Sequence, residues 1–170
     1  MEEWDLKPKP VEDSQIALAQ MMNIADTNPA GIVHGGTVMK LVDTAAGLAA
    51  IKHSGGMCVT VSIDEMTFLE PVHVGDLITV KASVNDVGTT SLEAGVRVEA
   101  ENVVTHERVH TSSAYLVFVA LDEEGHPRPV PPVLAETDEE RRRQREAKLR
   151  RETRLAHRKA IAEARSERGS

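Results

Sequence analysis

The run NPAGIVHGGTVMKLVDTAAGLAAIKH, residues 28–53, constrains this chain more than any other part. It opens as a loop, with Asn28-Pro29, Gly31 and His34-Gly35-Gly36. Pro29 restrains Asn28 to extended backbone, and the glycines permit close approach. From about Gly36 to His53 the run becomes an apolar helix candidate, closed by Ser54-Gly55-Gly56. Between Leu41 and Ile51 its apolar residues cover more than one face, so the helix is expected to be buried. At ~1.5 Å per residue it is too short to cross a bilayer, and Lys40, Asp43 and Lys52 interrupt it. Asp43 is the residue that most needs a reason, because burying an ionised carboxylate is costly unless something compensates it.

The rest of the body reads as strands. Ser14 to Ile24 fits a strand or a helix by pattern; its short length and the nearby Asn28-Pro29 favour a strand. Met57 to Glu65 alternates, with Met57, Val59, Val61 and Ile63 on one face and Cys58, Thr60, Ser62 and Asp64 on the other. Leu77 to Asn85 alternates again, and after a tight turn at Val87-Gly88-Thr89 so does Ser91 to Glu101. Glu107 to Leu121 becomes apolar on both faces after Tyr115, which suits a central strand. Consecutive antiparallel strands and one buried helix make an α+β layer architecture.

Charge divides the chain. Residues 1–136 carry 8 Lys+Arg against 20 Asp+Glu, a net −12, whereas residues 137–170 carry 12 against 7, a net +5. An acidic body with one Trp, one Tyr and two Phe argues against nucleic-acid binding, leaving only the basic tail to revive it. A single cysteine, Cys58, excludes an intrachain disulfide and fits a cytoplasmic protein; it reads as a small core residue. No Cys/His cluster has zinc spacing, so no metal is expected, and the charged N-terminus is not expected to act as a signal peptide.

Three segments are expected: an N-terminal arm over 1–13, in which Trp4 docks on a neighbouring surface; a domain over 14–133; and a basic helical extension over 134–170. The extension helix is expected from Thr137, capped with Glu140, to about Glu167, with acid-before-base pairs such as Asp138–Arg142 and Glu146–Arg150. Leu149, Leu155 and Ile161 are spaced by six and form no core-facing stripe. That helix is therefore expected to be solvated, frayed or bound to a partner subunit.

The order of elements and the motifs Asn28-x2-Gly31-x2-His34-Gly35-Gly36, LVD at Asp43, VTVSIDEMTFLEP, VGD and VGTTS resemble the hotdog-fold acyl-CoA thioesterases, specifically the cytosolic acyl-CoA hydrolase group. The resemblance covers about residues 14–133 and implies a hotdog fold, an antiparallel sheet wrapped around one long helix. It implies hydrolysis of acyl-CoA to free acid and coenzyme A, with Asp43 as general base or nucleophile and Asn28 positioning substrate or water. The Gly35 N–H would polarise the thioester carbonyl, as a helix N-terminus can. His34, Gly36, Thr60, Ser62, Ser91 and Arg97 are the expected substrate-binding residues. No cofactor is implied beyond the coenzyme A of the substrate.

The resemblance also implies active sites shared across a dimer. Helix geometry agrees: about 12 Å of rise separates Gly35 from Asp43, so one carbonyl cannot easily touch both in one chain. A homodimer is the expected minimal unit, assembling into a tetramer or hexamer, with no nucleic acid and no integral membrane contact. Lys81, Arg97, Arg108 and the tail arginines are candidates for the coenzyme A phosphates. The rival readings are a non-catalytic acyl-CoA-binding or sensing hotdog protein, another hotdog enzyme such as a dehydratase, and a tail that contacts a membrane surface or nucleic acid.

Overall fold

The computed structural model describes residues 4–166, so the expected helix end at Glu167 and the first three residues of the arm lie outside the described residues. The elements run β1 (Lys9–Pro10), β2 (Ile16–Met21), α1 (Gly35–Ser54), β3 (Cys58–Phe68), β4 (Asp76–Val87), β5 (Ser91–Asn102), β6 (Arg108–Ala120), β7 (Val133–Leu134) and α2 (Asp138–Ser166). Five strands form one antiparallel sheet in the order β2-β4-β5-β6-β3, and β1 pairs with β7 in a short parallel ladder. β2 and β3 are the sheet edges, and β6 lies inside it as its two-sided apolar pattern predicts.

The alternating strands place their apolar residues where the period requires. Ile78, Val80, Ala82 and Val84 of β4, and Leu92, Ala94, Val96, Val98 and Ala100 of β5, are all buried in one core with Leu116 and Phe118 of β6. Burying side chains such as Ile78, Leu92 and Phe118 stabilises by about 1.5–3 kcal/mol each. α1 lies across this face and presents Val38, Val42, Ala45, Ala46, Ala49 and Ala50 to it. The alanines let helix and sheet backbones approach closely. At its start the His34 side chain caps α1, its Nδ1 accepting from the Gly36 N–H at 2.8 Å. Gly55 ends it in the left-handed region (φ 76°), its N–H donating to Ile51 O at 2.9 Å.

The expectation of a helix buried all round is corrected. Within one protomer the sheet covers one side of α1, and Met39, Lys40, Asp43, Thr44 and Leu48 are exposed. β3 also departs from its expected alternation. Register shifts between Thr60 and Ser62 and between Ile63 and Glu65 bulge the strand twice. Thr60 pairs with Phe118 of the core, whereas Ser62 pairs with Val117 on the opposite face, so the two hydroxyls point to different sides.

α2 is neither wholly solvated nor frayed, which corrects two of the three readings of the tail. It crosses the outer face of the sheet, with Ala147 buried, Gln144 Nε2 donating to Asp86 Oδ1 at 3.2 Å, and Arg150 on Glu93 at 2.7 Å. From Leu155 to Ser166 every residue is exposed. Trp4 docks on its own chain, under the Arg128 guanidinium at 4.4 Å. No helix among the described residues is long and apolar enough to cross a membrane.

Candidate functional site

Asp43 and Thr60 are brought together from α1 and β3. The Thr60 hydroxyl donates to Asp43 Oδ1 at 2.8 Å, across 17 residues of sequence. Both residues are exposed within the protomer, so the carboxylate is not buried as the sequence led one to expect. It stands on the open side of α1, beside the exposed apolar side chains of Met39 and Leu48. A carboxylate fixed by one donor keeps lone pairs free for another proton donor, such as water.

The loop before α1 forms a second cluster. Asn28 is half-buried and makes a local turn: its Oδ1 accepts from Ala30 N at 2.9 Å, and its carbonyl accepts from Gly31 N at 2.9 Å. Gly31 has φ 78°, a conformation that favours glycine. The loop is tied down by His34 N donating to Asp26 O at 2.7 Å and Val33 N to Val72 O at 2.9 Å. The Gly35 N–H has no hydrogen-bond acceptor among the described residues and sits at the positive end of α1. Gly36 cannot carry a side chain without cost, because a Cβ there would lie 2.9 Å from His34 Nδ1, the capping atom. Phe68, which the sequence did not single out, lies over Gly35: a Cβ on Gly35 would stand 3.5 Å from its ring.

The remaining expected residues sit elsewhere in the protomer. Ser62 donates to Asp64 Oδ1 at 3.2 Å on the outer side of the sheet. Ser91 starts β5 beside Gly88 and Arg151, near α2. Arg97 lines a cleft of about 570 Å³ between the outer sheet face and the first turns of α2, with Lys81, Tyr115, Arg142 and Arg143. Its charge is already met, since Arg97 Nε and Lys81 Nζ both donate to Glu99, at 2.9 and 2.8 Å. Those two bonds, that from Lys81 first, hold the Glu99 carboxyl down to about 2. Arg108 pairs with Glu101 at 2.6 Å. Among the described residues no three His, Cys, Asp or Glu side chains converge as a metal site.

An antiparallel sheet curled over one long helix, with a carboxylate–hydroxyl pair and a free helix N-terminal amide on the helix's margins, defines the class of hotdog proteins. Comparison with known proteins narrows the class. Residues 30–105 match the model of the thioesterase superfamily. The chain is 36% identical over 146 residues to the mouse cytosolic acyl coenzyme A thioester hydrolase; the match takes in 85% of this chain and only 38% of that protein's length. The crystal structure of an apo-hexameric acyl-CoA thioesterase is 38% identical, with TM-score 0.86 over 89% of this chain and 97% of its own. The acyl-CoA hydrolase of Staphylococcus aureus, solved with butyryl coenzyme A, coenzyme A and coenzyme A disulfide, is 33% identical, with TM-score 0.86 over 95% and 99%. Similar structures of that hydrolase carry single Asp→Ala, Asn→Ala and Thr→Ala substitutions. The chain belongs to the thioesterase superfamily, and the similarity to the hexameric acyl-CoA thioesterase takes in 89% of it.

Proposed function

We propose that this chain is an acyl-CoA thioesterase that works as a homo-oligomer, with Asp43 as the catalytic carboxylate. The observation that carries the reading is the Thr60 hydroxyl on Asp43 at 2.8 Å, on a helix face left open by the chain's own fold. That face continues into β3, an edge strand on which Val59, Val61 and Ile63 are 41–47% exposed. An exposed apolar edge strand invites pairing with another chain. A second copy paired antiparallel along β3 carries its own loop toward this Asp43, so that Asn28 and Gly35 of one copy and Asp43 of the other complete one site. The hexameric state of the similar thioesterase is compatible with three such dimers.

In this reading the Gly35 N–H donates to the thioester carbonyl oxygen and stabilises the developing oxyanion. Asp43 takes a proton from water as the water oxygen bonds to the carbonyl carbon, or itself attacks to give an anhydride that water then opens. The C–S bond breaks in either route, and the coenzyme A thiolate leaves and takes up a proton. No metal or further cofactor is needed. The cytoplasm, where the free coenzyme A pool is reduced, is the proposed compartment, and no nucleic-acid partner is proposed. Thiol release from C2 to C18 acyl-CoAs is expected for the wild type, with Asp43→Ala reduced by about 10²–10⁴-fold while it stays folded and assembled. A wild type that binds acyl-CoA but turns over none of the panel is the outcome of a sensor, not an enzyme.

A further inference from the structure

Asp43 and Thr60 are held by elements of unequal security. α1 is capped at both ends and packed on the sheet. β3, which carries Thr60, is an edge strand with a neighbour on one side only in its own chain, β6. It is also bulged twice just beyond Thr60, at Val61 and at Asp64, so both residues drop out of the ladder. A strand so interrupted does not by itself fix a hydroxyl to hydrogen-bond accuracy.

The second bulge is clamped from outside. Asp64 accepts from Ser62 Oγ at 3.2 Å and is bridged by the Arg154 guanidinium of α2, 90 residues away in sequence. The Asp64 and Arg154 side chains are only 11% and 15% exposed, so solvent screens this pair little. One turn earlier, Arg150 reaches Glu93 of β5 at 2.7 Å and lies 3.6 Å over the ring of Tyr115, the β6 residue that pairs with Glu65 of β3. Arg150 and Arg154, four apart on one face of α2, therefore hold β5, β6 and the bulged part of β3 together. Beyond Arg154 every described residue of the helix is exposed.

We infer that α2 is a strap whose Arg154–Asp64 clamp fixes the bulged β3 so that Thr60 stays on Asp43. Arg154 is then a positioning residue of the active site, and the basic tail serves the chemistry rather than a membrane or nucleic acid. The inference rests on the thioesterase reading for its catalytic consequence, whereas the clamp itself is a matter of structure.

The experiment combines amide hydrogen exchange with acyl-CoA kinetics on the full-length protein. The variants are Arg154→Leu, Arg154→Lys, Thr60→Val, the double Arg154→Leu/Thr60→Val, and Glu163→Gln, which removes an exposed charge further along the same helix. In Arg154→Leu, exchange over residues 60–65 is expected to quicken at least tenfold, with β4 and β5 unchanged. Its kcat is expected to fall about tenfold with KM little altered, Arg154→Lys recovering part of that and Glu163→Gln matching wild type. In the Thr60→Val background, removing Arg154 is expected to cost less than twofold, because the residue through which it acts is gone. Unchanged exchange over residues 60–65 overturns the clamp, whether or not the protein turns over. Quickened exchange with unchanged kcat, or a full tenfold loss in the Thr60→Val background, overturns the link to Thr60. A wild type without hydrolase activity refutes the thioesterase reading and with it Arg154's part in catalysis, and the exchange arm still decides the clamp.

Discussion

His53 is sealed at the end of α1, with Nε2 donating to the Pro131 carbonyl at 2.9 Å and Nδ1 buried without a partner among the described residues. Burial, the largest effect, keeps its pKa below the usual 6.5. The unfolded chain therefore binds this proton more readily than the folded one. His53 contributes stability that is present above pH 6.5 and is lost as pH falls through the lowered folded value. His53→Gln keeps a donor for Pro131 but does not titrate. Urea unfolding from pH 7.5 downward is expected to show the wild type losing stability relative to His53→Gln below about pH 6.5, by at most ~1.4 kcal/mol per pH unit. Parallel curves would place the acid sensitivity elsewhere. The same scale shows what single residues reveal in sequence. Asp43 stands out because a carboxylate in an apolar helix needs a reason, whereas Thr60 and Ser62 stand together as hydroxyls on one face of the same alternating strand. Ser62 could not be separated from Thr60, since an alternating pattern assumes an unbroken ladder and the bulge at Val61 turns the second hydroxyl to the other face.

At the scale of elements, the five strands of the large sheet and α1 were legible to within a few residues, because period and turn chemistry act locally. β4 and β5 keep strict alternation and bury the residues it names. In the sequence α2 shows no core-facing stripe of large apolar residues, so docking on its own sheet is not among the readings it suggests. Its docked face is Gln144, Ala147, Arg150 and Arg154, at spacings of three and four, and it meets buried Asp86 and Glu93 and the bulged Asp64. A polar stripe is visible as a docking face only once its counter-charges are located in the sheet. What covers the open half of α1 was equally hidden, since a hydrophobic pattern does not say whether its own chain or a second copy supplies the cover. The exposed edge of β3 makes that testable. Val61→Lys places a charge on a strand that is proposed to pair with its own copy. Sedimentation is expected to show a smaller species than wild type and thiol release is expected to be lost, with far-ultraviolet circular dichroism retained. An unchanged assembly would remove β3 from the interface.

At the scale of the whole molecule, the division of charge becomes a structural relation. The body, residues 1–136, holds a net −12, and residues 137–170 return +5. α2 sets part of that positive charge against the sheet's outer face, where Glu93 and Asp86 are 5% and 7% exposed. Burial pushes the Asp86 carboxyl upward, with Lys148, Gln144 and Arg151 pulling it partly back. A chain ending at Glu136 leaves these acids without their partners on α2 and restores the full −12. Stranding a buried charge costs about 3–5 kcal/mol, but water reaching the uncovered face offsets much of this. A loss of at least ~1 kcal/mol is therefore expected in urea unfolding. The response to salt discriminates further. Repulsion among exposed like charges is screened by salt, so the truncated chain is expected to gain stability between about 0.05 and 0.5 M NaCl. The full chain, with a smaller net charge and partly buried ion pairs that salt reaches poorly, is expected to change less. If both respond alike at equal protein concentration, the tail does not balance the body, and its docking on the sheet rests on Ala147 and helix packing alone.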